Sequence, residues 1–286
     1  MNKIRIGGVP EHFNLPIHLA IEDGEFESLG IDVEWTIFKG GTGQMTKALR
    51  NDEIDVCILL TEGIISDQIK GNPSKIISTY INTPLIWGVH TGIDNPLDSY
   101  EDIFDKKYAI SRLGSGSHLM SIVDANSRGT ALKQDQFVII KNLEGALNSL
   151  ARGETDIFYW EKFTTKPYVD SGQLKRLGEY LTPWPCFVIA ASDKILDEQP
   201  ENIIRMLRTI HASADGFMAN ESATHMVSER YGLQLFDVER WFYSTEWAIH
   251  GWVNNKMIQN VIYHLKVAGI VDKNAYIPEL LWKRMG

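Results

Sequence analysis

Residues 48–56 (ALRNDEIDV) and residues 149–157 (SLARGETDI) follow the same order of residue types. In each segment a helix-forming stretch ends, a Glu-x-Asp step follows, and an apolar run begins that is typical of a buried strand. Each segment also completes three consecutive strand-loop-helix units. The sequence therefore predicts that the chain contains two similar α/β lobes.

The wider pattern alternates strands with helices, which indicates mostly parallel sheets with helices on both faces. The predicted strands are residues 4–7, 32–38 and 55–60 in the first lobe, and 107–110, 137–140 and 156–159 in the second. Four helices are predicted after the lobes, at residues 203–217, 223–231, 238–252 and 256–268, and are expected to form a C-terminal helical layer.

The chain is predicted to cross between the lobes twice, through the extended segments 83–88 and 186–191. The predicted domains are residues 1–84 plus 190–286 for lobe one and residues 85–189 for lobe two. Two extended crossings form a hinge, because a few extended residues can absorb the dihedral change of closure. We therefore expect a two-lobed clamshell.

Composition excludes several functional classes. The 286 residues carry a formal charge of -9 and no stretch dense in Lys or Arg, which argues against a nucleic-acid partner. The two cysteines, Cys57 and Cys186, belong to no metal-binding pattern, so no metal site is predicted.

No apolar run approaches the ~20 residues that span a bilayer. A strand follows Lys3 at once with no leader segment, so we expect a cytoplasmic protein, or a periplasmic protein or lipoprotein if a leader was removed.

Two glycine-rich loops precede predicted helices and suit an anionic ligand group, because helix amino termini carry free N–H groups and partial positive charge. The first loop contains Gly41, Thr42 and Gly43. The second, interpreted as its match in lobe two, contains Ser111, Arg112, Gly114, Ser115, Gly116 and Ser117. Tight turns and a helix cap remain the alternative interpretation. Neither loop has the spacing of a nucleotide-binding motif, so no cofactor is predicted.

The loop at residues 9–16 is bracketed by prolines and carries Glu11, His12, Phe13 and Asn14. Prolines stiffen a loop and lower the entropy lost when it binds. Glu11 and His12 have three open interpretations: an acid/base pair, a metal pair, or simple hydrogen-bonding groups.

Aromatic and acidic side chains lie near the predicted strand ends and crossings. The aromatic residues predicted to hold a flat ring, with core packing as the alternative, are Phe13, Trp87, Trp160, Phe163, Trp184 and Phe187. The acidic residues are Glu11, Glu62 and Glu161. If the acidic side chains face the ligand, it also has a cationic or N–H-donating part.

Three stretches, residues 6–13, 23–33 and 40–43, resemble the type 2 periplasmic-binding-protein superfamily over residues 1–195. The branch they are similar to holds sulfonate, nitrate and taurine binding proteins, thiamine-precursor binding proteins and the fungal pyrimidine-precursor synthase. Val9-Pro10-Glu11-His12-Phe13 looks similar to a leaderless fungal and bacterial subfamily. The resemblance implies a ligand held between the lobes by residues aligned with Glu11, His12, Thr42, Thr61, Thr83, Ser115 and Trp160. It does not carry over the synthase chemistry, which uses a cysteine-rich motif that is absent here.

These observations predict a binding protein for a small anionic or zwitterionic organic molecule, without catalytic residues. A transporter permease or an unseen partner of a ligand-sensing protein is the expected macromolecular contact. The alternative is a cytosolic enzyme of pyrimidine, thiamine-precursor or cofactor metabolism on the same fold. Such an enzyme needs a proton-transfer group, for which His12 beside Glu11 is the candidate.

Overall fold

The computed structural model describes residues 2–277 and 280–285. Within this range the strands are β1 (Asn2–Gly8), β2 (Ile31–Ile37), β3 (Val56–Leu60), β4 (Ser74–Ile81), β5 (Ile86–Gly92), β6 (Tyr108–Ile110), β7 (Phe137–Ile139), β8 (Ile157–Glu161), β9 (Leu174–Leu181) and β10 (Phe187–Ser192). All six strands predicted for the two lobes are present, with ends that shift by up to two residues.

The α-helices in the described range are α1 (Leu15–Glu22), α2 (Glu25–Ser28), α3 (Thr42–Arg50), α4 (Thr61–Ile69), α5 (Gly116–Ser127), α6 (Leu143–Ala151), α7 (Lys166–Asp170), α8 (Asp193–Glu198), α9 (Pro200–Ala219), α10 (Ala223–Tyr231), α11 (Leu235–Tyr243) and α12 (Asn255–Val267). None of the helices in this part of the chain is both long enough and apolar enough to cross a membrane.

The chain forms two units. Unit 1 comprises Met1–Thr83, Trp184–Ile262 and Asn274–Gly286, and unit 2 comprises Pro84–Pro183 and Tyr263–Lys273. Compared with the predicted domains, unit 1 gains residues 184–189, because β10 pairs with β3 and β4. Unit 2 gains residues 263–273, whose Ile270 lies against the Gly114 loop.

Each unit contains one five-stranded mixed sheet, and the two sheets have the same topology. The order is β2-β1-β3-β10-β4 in unit 1 and β7-β6-β8-β5-β9 in unit 2. The first three strands of each order are parallel, and the fourth runs antiparallel to both of its neighbours. The predicted repetition is therefore confirmed in strand order, and the antiparallel strand in each sheet is the one that follows a crossing.

The two Glu-x-Asp segments repeat down to individual hydrogen bonds. Asp55 Oδ2 accepts the backbone N–H of Arg5 at 2.8 Å, and Asp156 Oδ2 accepts that of Lys107 at 3.0 Å. In both cases the aspartate ties the start of the third parallel strand to the neighbouring first strand, which satisfies a backbone donor at the sheet end.

The prediction of a helix at residues 238–252 is wrong beyond Tyr243. The segment that follows lies antiparallel to the edge strand β4: Asn82 N–H donates to the Glu246 carbonyl at 2.8 Å, and Ala248 N–H to the Tyr80 carbonyl at 2.9 Å. Edge strands present unpaired backbone groups, and this segment supplies partners for them. The helical spacing of the tryptophans reflects burial of Trp241 and Trp247 rather than one continuous helix.

Candidate functional site

In both sheets the three parallel strands end at one edge, where a loop or a helix follows each strand. Ligands of open α/β sheets bind outside this carboxyl edge. Most of the predicted binding residues lie at or beside one of these edges, in unit 1 or in unit 2. The two edges are described separately.

His12 follows β1 and is buried, with its imidazole edge-on to the Trp241 indole at 4.1 Å between ring centroids. Burial lowers the pKa of His12 to about 3, so the ring is neutral near pH 7. Its Nε2 atom and the Trp241 Nε1 atom have no hydrogen-bond partner among the residues described. A neutral imidazole with so low a pKa is a poor proton acceptor, which weakens its predicted role in acid/base chemistry. Glu11, before it, is half-buried.

Phe13 and Asn14 complete this loop and are also buried. The Phe13 carbonyl accepts hydrogen bonds from the Tyr80 hydroxyl at 2.7 Å and the Trp247 indole at 2.9 Å. The Asn14 amide donates to the Val9 carbonyl at 2.8 Å, whereas its Oδ1 atom has no partner in the described range. These bonds hold the loop closely against β4 and the segment after α11.

The loop after β2 ends in Gly41, whose φ of 65° and ψ of -156° are accessible almost only to glycine. Thr42 is buried, and its hydroxyl accepts the Leu60 N–H at 3.2 Å. A Cβ atom on Gly63 would lie 2.2 Å from the Thr42 methyl group, so α3 and α4 approach closely here. The hydroxyl predicted to contact ligand thus holds two elements together, while the first N–H groups of α3, including that of Gly43, lack acceptors within the helix.

At the end of β3, Thr61 is fully buried, and its hydroxyl donates to the Pro185 carbonyl at 2.6 Å. The next residue, Glu62, is 3% exposed and accepts the Trp184 indole N–H at 2.9 Å on Oε2. Its Oε1 atom has no partner among the described residues. Burial raises the pKa of Glu62 to about 7, while the bonds from its own backbone N–H and from Trp184 act in the opposite direction.

Two predicted residues lie near the crossings. The Thr83 hydroxyl accepts the Glu246 N–H at 3.2 Å in unit 1. Trp87 is buried within β5 of unit 2, where its indole donates to the Thr182 hydroxyl at 2.9 Å. Trp87 thus belongs to the core of its sheet, which was the alternative interpretation of the aromatic residues.

In unit 2, the loop after β6 leads into α5 through the N-cap Ser115. The Ser117 hydroxyl accepts the Ser111 N–H at 3.2 Å and lies 3.0 Å from the Ser115 hydroxyl. The half-buried Arg112 guanidinium has neither a hydrogen bond nor an ion pair with any residue described, and burial lowers its pKa. An unpaired, partly desolvated cation therefore lies on the loop that begins with Ser111 and passes through Gly114 and Gly116 to Ser117.

His118 adds a donor that the sequence analysis passed over. Its Nδ1 atom accepts the Gly114 N–H at 3.0 Å, and burial lowers its pKa to about 4. Because the neutral ring then carries its proton on Nε2, that buried atom is an N–H donor, and it has no acceptor in the described part of the chain. The sequence feature that could have identified His118 is its position directly after the serine-rich loop.

The third strand of unit 2 ends at Trp160 and Glu161. Trp160 is half-buried and stacks on Phe158, with ring centroids 5.2 Å apart. Glu161 is buried, and both of its oxygens are occupied: Oε1 accepts the Phe163 N–H, and Oε2 accepts the Thr164 N–H and hydroxyl. These bonds close a turn, and burial raises the pKa of Glu161.

The matching of the two glycine-rich loops is wrong. The Gly41 loop follows the second parallel strand of its unit, whereas the Gly114 loop follows the first. The counterpart of Gly41 is the β7–α6 connection, in which Lys141 has a φ of 73° and Asn142 caps the helix. Glycine content suggested the match, but position in the strand order defines the equivalence.

Comparison with known proteins identifies relatives of this arrangement. A family model described as "Ca3427-like PBP" matches residues 87–180. The Candida albicans CA3427 gene product, which has the generic periplasmic binding protein fold, is 26% identical, with a TM-score of 0.89 over 96% of this chain and 92% of that one. No curated protein matches the sequence.

Two bacterial structures are similar at lower identity. The alkanesulfonate-binding protein SsuA from Xanthomonas axonopodis pv. citri, bound to MOPS, is 14% identical with a TM-score of 0.81, over 97% of this chain and 96% of that one. The nitrate-binding protein NrtA from Synechocystis PCC 6803 is 15% identical with a TM-score of 0.69, over 96% and 83% of the two chains. At these identities the likeness concerns the fold alone.

Proposed function

We propose that this chain, which has the fold of the periplasmic binding proteins, binds a small organic anion and that residues 111–118 of unit 2 hold the anionic group. Two proteins of similar fold are named for binding an alkanesulfonate and nitrate, and both ligands are anions. The proposal rests on the residues of this chain, since fold does not determine the ligand.

The unpaired Arg112 guanidinium is the observation that carries the proposal. Removing a cation from water without an opposite charge is unfavourable, so a half-buried arginine is normally paired with a carboxylate. Arg112 has no partner among residues 2–277 and 280–285. An anionic ligand would supply the missing charge, and the planar guanidinium suits a carboxylate, sulfonate or phosphate because it can donate two parallel hydrogen bonds.

The start of α5 supports the same chemistry. The first backbone bond of this twelve-residue helix runs from the Leu119 N–H to the Ser115 carbonyl, and the His118 N–H is capped by the Ser115 hydroxyl. The N–H groups of Gly116 and Ser117 precede these bonds and remain for an external acceptor. The unpaired Nε2–H group of His118 is a further neutral donor.

The test is calorimetric titration of the purified chain with alkanesulfonates, carboxylates, a phosphate ester and nitrate. The best-binding anion should lose affinity by about tenfold or more in Arg112→Ala, because a hydrogen bond to a charged group is lost. Arg112→Lys should give an intermediate loss, since it keeps the charge but not the paired donors.

Arg152→Ala is the matched control, because this arginine belongs to the same unit but is 69% exposed, with Glu154 3.8 Å away. Its affinity should equal that of the unaltered chain. Binding by Arg112→Ala at full strength would remove the loop from the site, and failure of every anion to bind would contradict the proposed function.

Three further elements of the hypothesis stay predictions: ligand capture between the lobes, a transporter permease as partner, and the cellular location. The low pKa of His12 argues against the proton-transfer role that the enzymatic alternative assigns to it. Mass spectrometry of each compound after incubation would reveal turnover if it occurs.

A further inference from the structure

Lys141 lies beside the loop of unit 2 that is proposed to hold the anion. The parallel pairing of β6 with β7 matches Ile110 with Ile139, and it extends one step further, because the Ile140 N–H donates to the Ile110 carbonyl at 2.8 Å. Continued by two residues beyond the strand ends, the same register places Arg112 opposite Lys141. Neighbouring strands lie about 4.8 Å apart, so both long cationic side chains start from the same edge of the sheet.

The backbone of Lys141 is in a conformation that lysine rarely adopts. Its φ is 73°, and Asp52, with a φ of 58°, is the other described residue besides the glycines that has a positive φ. The Asp52 carboxylate is used at that position, since it accepts hydrogen bonds from Arg5 at 2.9 Å and Lys194 at 2.6 Å. The equivalent turn of unit 1 has Gly41, which adopts such a φ without strain. The turn alone therefore does not account for a lysine at residue 141.

The Lys141 ammonium has no partner among the residues that the structure describes. Its side chain is exposed, and it forms neither a hydrogen bond nor an ion pair within residues 2–277 and 280–285. Glu144, in the first turn of α6, is the acidic residue nearest to it in sequence and makes no ion pair with it. Arg112, opposite, is half-buried and equally unpaired in this range. One sheet edge thus presents two accessible cations to an anion.

The start of α6 adds backbone donors beside this lysine. The Asn142 side chain accepts the Gly145 N–H at 2.9 Å, and the first helical bond runs from the Ala146 N–H to the Asn142 carbonyl. The N–H groups of Leu143 and Glu144 precede these bonds and lack acceptors within the helix. The first turn of α6 therefore offers donors to an anion in the same way as the start of α5.

We propose that Lys141 contacts the same anionic group as Arg112, and that the protein therefore prefers a doubly charged group, such as a phosphate monoester or phosphonate, over a singly charged sulfonate or sulfate ester. The inference rests on the proposed function and narrows its ligand class. Two neighbouring cations repel each other, and a group with two negative charges offsets both of them, whereas a singly charged group leaves one uncompensated. The His118 ring, 5% exposed and with no acceptor for its Nε2–H group in the described part of the chain, is a further neutral donor on this loop.

The experiment compares propyl phosphate with propyl sulfate at pH 8. The two esters have similar size and the same tetrahedral shape at the anionic group. The phosphate is almost fully doubly charged at this pH, since its second pKa is about 6, and the sulfate carries one charge. The phosphate should bind about tenfold or more tightly, because it gains a charged hydrogen bond to Lys141. Calorimetry at low ionic strength, where charges are least screened, measures both affinities.

Lys141→Gln removes the charge and should lower the preference for phosphate to about threefold or less, whereas Lys141→Arg keeps the charge and should retain most of the preference. Lys133→Gln is the matched control, because it removes an exposed lysine of the same unit that precedes β7, at the opposite end of that strand. Its preference should equal that of the unaltered chain. Thermal unfolding establishes that the variants fold, and the unaltered chain tests the inference without any of them.

Failure of this inference is distinguishable from failure of the proposed function. Equal binding of the two esters, tighter binding of the sulfate, or a preference that survives in Lys141→Gln overturns the role of Lys141 and leaves anion binding intact. An equal fall in Lys133→Gln, or binding of neither ester when another anion binds, overturns it as well. Binding of none of the alkanesulfonates, carboxylates, phosphate and sulfate esters or nitrate overturns the proposed function and this inference with it.

Discussion

Unit 1 and unit 2 have the same strand order but differ at the edge where the parallel strands end. At the opposite edge, Asp55 and Asp156 make equivalent bonds to the first strand of their sheets. Among the residues described at the carboxyl edge, Glu62 of unit 1 has one oxygen without a hydrogen-bond partner. In unit 2, Glu161 is hydrogen-bonded by its own turn, and the Arg112 guanidinium has no partner in the same described range. The shared bonds maintain the scaffold, and the proposed function assigns ligand contacts to groups that the two units do not share.

The helices that follow the first parallel strands differ in the same way. In unit 1, α1 buries apolar side chains, including Leu15, Ile17 and Ala20. In unit 2, α5 buries Asp124 completely, and this carboxylate accepts hydrogen bonds from Tyr159 at 2.6 Å and from Arg128 at 3.0 Å. Both helices therefore contribute apolar packing, and α5 adds a buried carboxylate that α1 lacks.

The largest effect is expected from Asp124→Ala. The change removes the acceptor of the buried Tyr159 hydroxyl and of the half-buried Tyr100 hydroxyl, and it leaves Arg128 with Glu101 as its ion-pair partner. It should lower the free energy of unfolding by about 3 kcal/mol or more. Hydrogen–deuterium exchange should show the loss of protection in unit 2 while unit 1 is little affected. Asp105→Ala, an exposed aspartate of the same unit, should leave exchange unchanged.

Equal loss of protection in both units would contradict this prediction, because it would mean that they unfold as a single cooperative body. Protection lost only in unit 2 would show that each sheet keeps its own stability.

A smaller difference is expected at the repeated aspartates. Asp55 pairs with the Arg5 side chain, with Nη2 2.6 Å from Oδ1 and Nε 3.0 Å from Oδ2. From the residues described, the Asp156 carboxylate receives only the Lys107 N–H and the Asn95 amide. Asp55→Asn should therefore lower the free energy of unfolding by about 2 kcal/mol and Asp156→Asn by about 1 kcal/mol, as measured by urea denaturation.

Arg5→Ala provides the control for this pair. Without the Arg5 guanidinium, a further Asp55→Asn change should have no more effect than Asp156→Asn has in the unaltered chain. Equal effects of the two single Asn variants would show that the ion pair adds nothing to the shared backbone bond.

Much of the fold could be predicted because it depends on local pattern. The apolar run at residues 56–60 and the repeated Glu-x-Asp step identify buried strands without knowledge of any partner. The end of α11 could not be predicted, since it depends on β4 offering backbone groups to Glu246 and Ala248 from more than 160 residues earlier in the chain.

The site was predictable at the level of loops but not of side chains. The carboxyl-edge rule located the loop that contains Arg112 and the strand end that precedes Glu62. It could not show that the Thr61 hydroxyl donates to the carbonyl of Pro185, 124 residues later. Nor could it show that the Glu161 carboxylate accepts hydrogen bonds from its own turn. Which polar atoms remain unpaired is a property of the folded chain, and the proposed anion site depends on it.

The smallest effect concerns the starts of α3 and α6, which are equivalent in the two sheets. Gly41 and Lys141 both have positive φ, at 65° and 73°, and no atom lies within 4 Å of a Cβ built on Gly41. Gly41→Ala should therefore lower the free energy of unfolding by about 1 kcal/mol through backbone strain alone, and Lys141→Gly should raise it by about 0.5 kcal/mol. Urea denaturation of both variants measures the sign of each change in the free energy of unfolding.

If Lys141→Gly instead weakens anion binding without destabilising the chain, the lysine side chain contributes to ligand binding in spite of its strained backbone. Strain retained at an exposed position is expected where a side chain serves a ligand, and glycine is expected where only the turn matters. Opposite changes in the free energy of unfolding would then show that the two equivalent turns differ in role: Gly41 relieves backbone strain in unit 1, whereas Lys141 in unit 2 tolerates strain for its side chain.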